Sequence, residues 1–228
     1  LWGNPSNTTP SALVECQSCD LRVTGGNALS ISGGTVRLLR SHFAATGSSA
    51  VVAVLGTGAL STNSTNNFVE ATAGLGVSST SPSYLLLNGW VVHVAGNNTT
   101  ALSLAATPRV GLATVSIECT GTGQTGAGSA GLSPAAIGVT GIGIKGCATG
   151  VSVAFQTTWV GTGAMTVDTA TTAFSATSGG RISFGAQTPT FTGVTDELQL
   201  DGTSYTYSFL SGLSPGVIIG PYGSAIYK

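Results

Sequence analysis

The chain has 228 residues, of which 7% are charged and 42% apolar, with 34 glycines and a formal net charge of −1. An average domain carries about 25% charged residues, and here no basic stripe exists to neutralise phosphates, which excludes nucleic acid as a partner. No apolar run approaches the roughly 18 residues of a membrane helix, so no membrane insertion is expected.

Gly, Thr, Val and Ser dominate, the profile of β structure with many tight turns. Residues 1–12 (LWGNPSNTTPSA) are turn-forming and are expected to be an introductory linker. The chain opens on Leu1-Trp2 without an initiator Met or a signal segment, so it is expected to be a piece of something longer. Cys16 and Cys19 form a CxxC, while Cys119 and Cys147 stand too far apart to match any zinc ribbon. The four are expected to pack as small buried hydrophobes, with no metal and no cofactor, and they leave the compartment open.

From about Val14 to Leu200 short strands alternate with Gly, Ser, Asn or Thr: DLRVTG, ALSISGG, VVAVLG, GWVVHVAG, LATVSIE, AIGVTG, IGIKG, VSVAF, AMTVD and RISFG. Apolar-x-apolar pairs recur along this stretch at a constant offset. Leu29 and Ile31 precede Val52 and Val54; Val69 and Ala71 precede Val92 and Val94, then Val115 and Ile117. Ile142 and Ile144 precede Met165 and Val167, and Val151 precedes Phe174. Such pairs place both side chains on one strand face. A fixed period of this length marks a solenoid. The fold class expected is all-β: a right-handed, single-stranded parallel β-helix of about eight coils over residues 13–200, at ~23 residues per coil.

Leu102 and Leu104 find matching apolar pairs only well beyond one period, at Ile137 and Val139. The excess falls on GTGQTGAGSAGL, residues 121–132, which is therefore expected to be an extruded surface loop and a candidate projection. Residues 201–228 carry four of the five tyrosines, so Tyr205, Tyr207, Phe209 and Leu210 are expected to form a C-terminal cap or an intersubunit contact.

Catalytic constellations are sparse. The period stacks Glu70, His93 and Ser116 on an outward face, the one acid–histidine adjacency it offers. Asp196 and Glu197 are consecutive and so point to opposite faces. No paired carboxylates, clustered Asp with Arg or Lys, GxSxG, HExxH or phosphate loop emerges, so catalysis is not expected and no catalytic residue is assigned. Sequons at Asn7, Asn63, Asn97 and Asn98 carry little weight in a chain so rich in Asn and Thr. Ice binding would need a Thr ladder, and TVDT and TAT at 166–171 do not recur one coil earlier. No glycan-binding residue is assigned; Trp90 and Trp159 are the candidates for stacking on sugar rings, with core packing as the competing role.

The opening LWGNPSNTTPSALVE resembles the segment that introduces receptor-binding regions in bacteriophage tail fibres and tailspikes. Gly3, Asn4, Pro5, Pro10 and Ser11 carry the match, and Ser6 stands where Thr is usual. The ending LDGTSYTYSFLSGLSPGVIIGPYGSAIYK is similar to C-terminal segments of such appendages. The resemblance implies a homotrimer of β-helices on a virion, joined to other tail or baseplate proteins and touching a bacterial surface glycan. Many tailspikes cleave their glycan, and the missing carboxylate pair speaks against cleavage here. The alternatives are a pectin-lyase-like polysaccharide-degrading enzyme and a secreted bacterial β-helical adhesin.

Overall fold

The structure is a computed structural model that describes residues 13–80, 84–105, 109–129, 136–185 and 187–201, together with the backbone of strands at 205–208, 217–219 and 226–227. Each coil lays down a strand on each of three faces. The first comprises β1 (Leu13–Gln17), β2 (Asp20–Val23) and β3 (Leu29–Ile31), and the second β4 (Thr35–Leu39), β5 (His42–Ala45) and β6 (Val52–Leu55). The third holds β7 (Ala59–Leu60), β8 (Phe68–Ala71) and β9 (Val77–Thr80), and the fourth β10 (Tyr84–Asn88), β11 (Val91–Val94) and β12 (Thr100–Leu104). The fifth is β13 (Arg109–Ala113), β14 (Val115–Cys119) and β15 (Thr125–Gly128). In the sixth, β16 (Ala136–Lys145) covers two faces before β17 (Thr149–Val153), and in the seventh β18 (Thr158–Asp168) does the same before β19 (Thr172–Ala176). The eighth has β20 (Arg181–Gly185), β21 (Thr190–Thr192) and β22 (Asp196–Leu200).

All described ladders are parallel, and the stack is an all-β solenoid of about 7 turns. The third face shows this directly: β3, β6, β9, β12, β15, β17, β19 and β22 pair in succession, eight rungs and hence seven steps. Period-2 alternation drives each strand to put its apolar residues inside. On the second face the inward column runs Leu21, Phe43, Val69, Val92, Ile117, Ile144, Val167, Phe191. On the third it runs Leu29, Val52, Val77, Leu102, Ala127, Val151, Phe174, Leu198. Between the first and second faces, coils one to five turn on one left-handed residue each: Ser18, Arg40, Asn66, Gly89 and Thr114, with φ between 48 and 65°. The chain can thus bend sharply there without leaving the ladder. Coils six and seven run straight through this corner as β16 and β18.

The constant register expected from the sequence holds for Leu29–Val52, Val69–Val92, Ile142–Met165 and Val151–Phe174. It fails after Val92, whose partner is Ile117 and not Val115; Val115 pairs with Ile142 in the neighbouring inward column. The offset varies because the corners differ in length, and the step from His42 to Phe68 is likewise longer than the period. The expected loop at 121–132 is overturned over its described part. Leu102 pairs with Ala127, not with the next face, and residues 125–128 form β15 inside the stack. Gln124 is fully buried there, its amide donating to the carbonyls of Val94 and Gly96 at 2.9 and 2.7 Å while its own carbonyl accepts from Gly121 N.

The cysteines do not pack as free thiols. Cys16 is joined to Cys19, and Cys119 to Cys147 with Cα atoms 4.9 Å apart. The second disulfide staples the fifth coil to the sixth. Beyond Leu200, β23 (Tyr205–Ser208), β24 (Val217–Ile219) and β25 (Ile226–Tyr227) continue the parallel ladders on β20, β22 and β23. The remainder of the expected cap, the side chains of Tyr205, Tyr207, Phe209 and Leu210, and the linker at 1–12 lie outside the described residues.

Candidate functional site

The two sugar-stacking candidates are core residues. Trp90 is 0% and Trp159 1% exposed. Trp90 Nε1 donates to Ser64 O at 3.4 Å, and Trp159 meets Phe174 edge-on at 6.5 Å between centroids. An indole buried on all sides offers no ring face to a ligand. Two described aromatics are exposed: Phe155, 44%, in the turn after β17, and Tyr84, 42%, on the sheet at the start of β10.

Tyr84 is paired with Arg109, and Leu86 with Gly111, one coil on. A Cβ placed on Gly111 would lie 2.6 Å from Tyr84 Oη and 2.8 Å from Leu86 Cδ1. The phenol therefore leans along the stack, and its hydroxyl end reaches the bare backbone of Gly111. Beyond it the outward positions are small: Gly111 pairs with Gly138, and Arg109 with Ala136. Next come Thr158 and Val160, and then Arg181 paired to Thr158. A signal for this arrangement is present in the sequence as YLLLN, RVGLA and AIGVT, but only registers longer than the general period bring those segments together.

The second face carries the charges. Glu70, His93, Glu118, Lys145 and Asp168 occupy successive rungs of one outward column. The Glu70–His93 adjacency holds as expected, but Glu118 follows His93 in place of Ser116, and Lys145 and Asp168 extend the column. An alternation of acid and base is therefore present on this face where the sequence pattern showed none. Below it, the His42 ring sits between Asp20 Oδ1 and Glu70 Oε2, 3.4 Å from each through Nδ1 and Nε2. Arg22 Nε donates to Asp20 Oδ1 at 2.9 Å, and that hydrogen bond lowers the Asp20 pKa below its usual value. An open cleft of about 290 Å³ lies over Ala44 between Arg22 and Glu70, edged by Thr24, Thr46 and Thr72. Arg22 in its wall is tied to Asp20, and Glu70 lies 3.4 Å from His42 Nε2.

The third face is lined with hydroxyls. Thr100, Thr125, Thr149 and Thr172 stack in register, a column hidden from periodicity because its steps along the chain are unequal. Beside it stand Ser103, Gly128, Ser152 and Ser175. The Thr column is short: Thr172 is already buried, and its next partner is Asp196. A lattice of ordered water would need a longer open array. Among the described residues, no three His, Cys, Asp or Glu side chains converge as metal ligands.

No family model, curated protein or solved structure matches the chain.

Proposed function

We propose that this chain is the structural and receptor-recognising part of an extracellular appendage of the tail-fibre or tailspike kind, and that it holds a bacterial surface glycan on the first face of the solenoid. The observation that carries the reading is the exposed Tyr84 side chain, whose hydroxyl end rests on Gly111 of the next strand. Sugar rings present apolar C–H faces that pack on such a side chain, and its contact with the next strand of a parallel ladder restrains it before the ligand arrives. Two disulfides suit an oxidising, extracellular setting such as a virion. The likeness at the two ends to tail-fibre segments supports a trimer attached to other tail or baseplate proteins. The test is binding of the purified protein to polysaccharide extracted from candidate host cells. Tyr84→Ala should weaken binding at least tenfold while leaving thermal unfolding unchanged. Retention of full affinity by that variant would remove the basis of the reading.

One observation favours a second reading, polysaccharide cleavage on the second face. Glu70 and Glu118 flank His93 on strands two rungs, or about 9.6 Å of backbone spacing, apart, with the Glu70 carboxylate turned toward His42. Inverting glycosidases separate their carboxyl groups by about 6.5–9.5 Å, with one acting as acid and the other as base. If this pair cleaves, incubation with host polysaccharide generates new reducing ends, and Glu118→Gln abolishes them. A constant end-group count with the unaltered protein dismisses cleavage.

A further inference from the structure

Charge is sorted between the faces of the solenoid. Of the described carboxylates, Asp20, Glu70, Glu118 and Asp168 lie on the second face, and Asp196 and Glu197 lie in β22 on the third. Glu15 lies on the first face in the first coil, where Arg37 Nη1 meets it at 3.2 Å. From the fourth coil onward, the first-face segments YLLLN, RVGLA, AIGVT, TWVGT and RISFG contain no acid at all. They contain two arginines, Arg109 and Arg181, both exposed. Asp201, which follows β22, lies 2.6 Å from the Ser178 amide, which donates to it.

The arginines share one column. Arg109 pairs with Ala136, Ala136 with Thr158, and Thr158 with Arg181, so three rungs separate them. At the parallel-strand spacing that is about 14 Å. Tyr84 lies one rung below Arg109. Between the guanidinium groups the floor is Gly138, Ala136 and Thr158, all short, so the surface is a shallow trough running along the solenoid axis with an aromatic shelf at one end.

From this arrangement we infer that the ligand of the first face is an anionic glycan, laid parallel to the solenoid axis, with acidic groups at Arg109 and Arg181 and a sugar ring on Tyr84. The inference rests on the glycan reading above and adds the charge and direction of the ligand. A pyranose ring is about as long as one rung step, so a chain of sugars keeps pace with the coils beneath it. Arginine presents paired N–H donors that match carboxylate or phosphate oxygens. The five strand segments that build the trough bring no carboxylate to repel the negative charge of such a ligand. Side chains longer than Ala or Thr at the intervening rungs would lift the chain away from both arginines. The acidic group is a uronic-acid carboxylate or a backbone phosphodiester, chemistries that a guanidinium accepts alike and that the experiment separates.

The experiment measures binding by calorimetry at low and at physiological ionic strength. The probes are oligogalacturonate, its methyl ester, and poly(glycerol phosphate), alongside host polysaccharide before and after carboxyl reduction. The expected result is that at least one acidic probe binds at least tenfold more tightly than its neutralised counterpart, or than the Arg109→Gln, Arg181→Gln double variant binds it. That preference should shrink with salt. Preference for a carboxylated probe that is lost on esterification or reduction assigns uronic acid, and preference for poly(glycerol phosphate) assigns phosphate. Gly111→Val serves as a control that displaces the Tyr84 ring by its flexible end and leaves the arginines in place; it should weaken oligogalacturonate and its methyl ester equally and leave poly(glycerol phosphate), which has no ring, unchanged. If neutral and acidic forms bind alike and only Tyr84→Ala weakens them, the anionic assignment is overturned while the glycan reading stands. If no saccharide binds, both fall.

Discussion

At the scale of single residues, the stack depends on a few buried polar side chains at its corners. Asn67 is 1% exposed and sits one coil above the turn between β4 and β5. Its Oδ1 accepts from Ser41 N at 3.0 Å, and its Nδ2 donates to Leu38 O at 3.0 Å. Ser64 Oγ accepts from Leu38 N beside it. The left-handed turn at Arg40 breaks the ladder at that point, and these side chains supply partners to backbone groups near the turn. Replacing Asn67 with Ala strands the buried Ser41 N–H, while Leu38 O keeps its bond from Thr65 N. An unpaired buried group costs about 1–3 kcal/mol, so Asn67→Ala should lower unfolding free energy by that amount in a urea titration. A loss below about 1 kcal/mol would mean that water enters and replaces the amide. The exposed Asp20–Arg22 pair has no comparable role, since solvent screens both partners.

At the scale of elements, legibility followed corner length. Where neighbouring coils have nearly equal length, as from β16 to β18 and from β17 to β19, Ile142–Met165 and Val151–Phe174 can be read from the chain itself. Where a corner gains residues, apolar alternation still finds the strand but misassigns its partner, as for Val92 and Val115. β15 shows a different failure. TGAG has the composition of a loop, yet its small residues are demanded by closeness. A Cβ on Gly126 would lie 2.6 Å from Gly150 O and 2.9 Å from Ile144 Cγ2. Gly128, two residues later, faces outward, and a Cβ there would meet only Thr100 Cγ2 at 3.4 Å and Thr125 Cγ2 at 3.7 Å. Composition alone does not separate glycine used for tightness from glycine used for freedom. The two positions therefore give opposite expectations. Gly126→Val overpacks the interior and should cost about 1–3 kcal/mol or more, whereas Gly128→Ser should be near neutral. In calorimetric melting, the first should fall by several degrees and the second should not. An extruded loop would tolerate both, so equal melting temperatures would contradict the placement of β15. The candidate site was illegible for the same reason as the Val92 pairing. Tyr84, Gly111 and Gly138 share a surface only because the fourth and fifth coils are longer than the period that the apolar pairs display.

At the scale of the whole molecule, stability is built from neighbour-to-neighbour contacts, because each coil touches only the coils on either side. One apolar core runs from Cys16 to Leu200, but each slice of it rests on its neighbours alone, so opening proceeds from the ends, where a coil has one neighbour instead of two. The Cys119–Cys147 bond interrupts this pattern in the middle by tying β14 to the turn after β16. Closing a 28-residue separation removes roughly 3.5 kcal/mol of unfolded-chain entropy on the chain-entropy account. Amide hydrogen exchange should therefore be slowest in β11, β14 and β16 and rise toward β3 at one end and β22 at the other. The Cys119→Ala, Cys147→Ala double variant, which removes the bond without touching Cys16 or Cys19, should speed exchange most in β14, β16 and β17. The end coils, whose opening never depended on the staple, should change least. A single uniform rate along the stack, or a variant that accelerates β3 as much as β14, would show that the solenoid opens all at once.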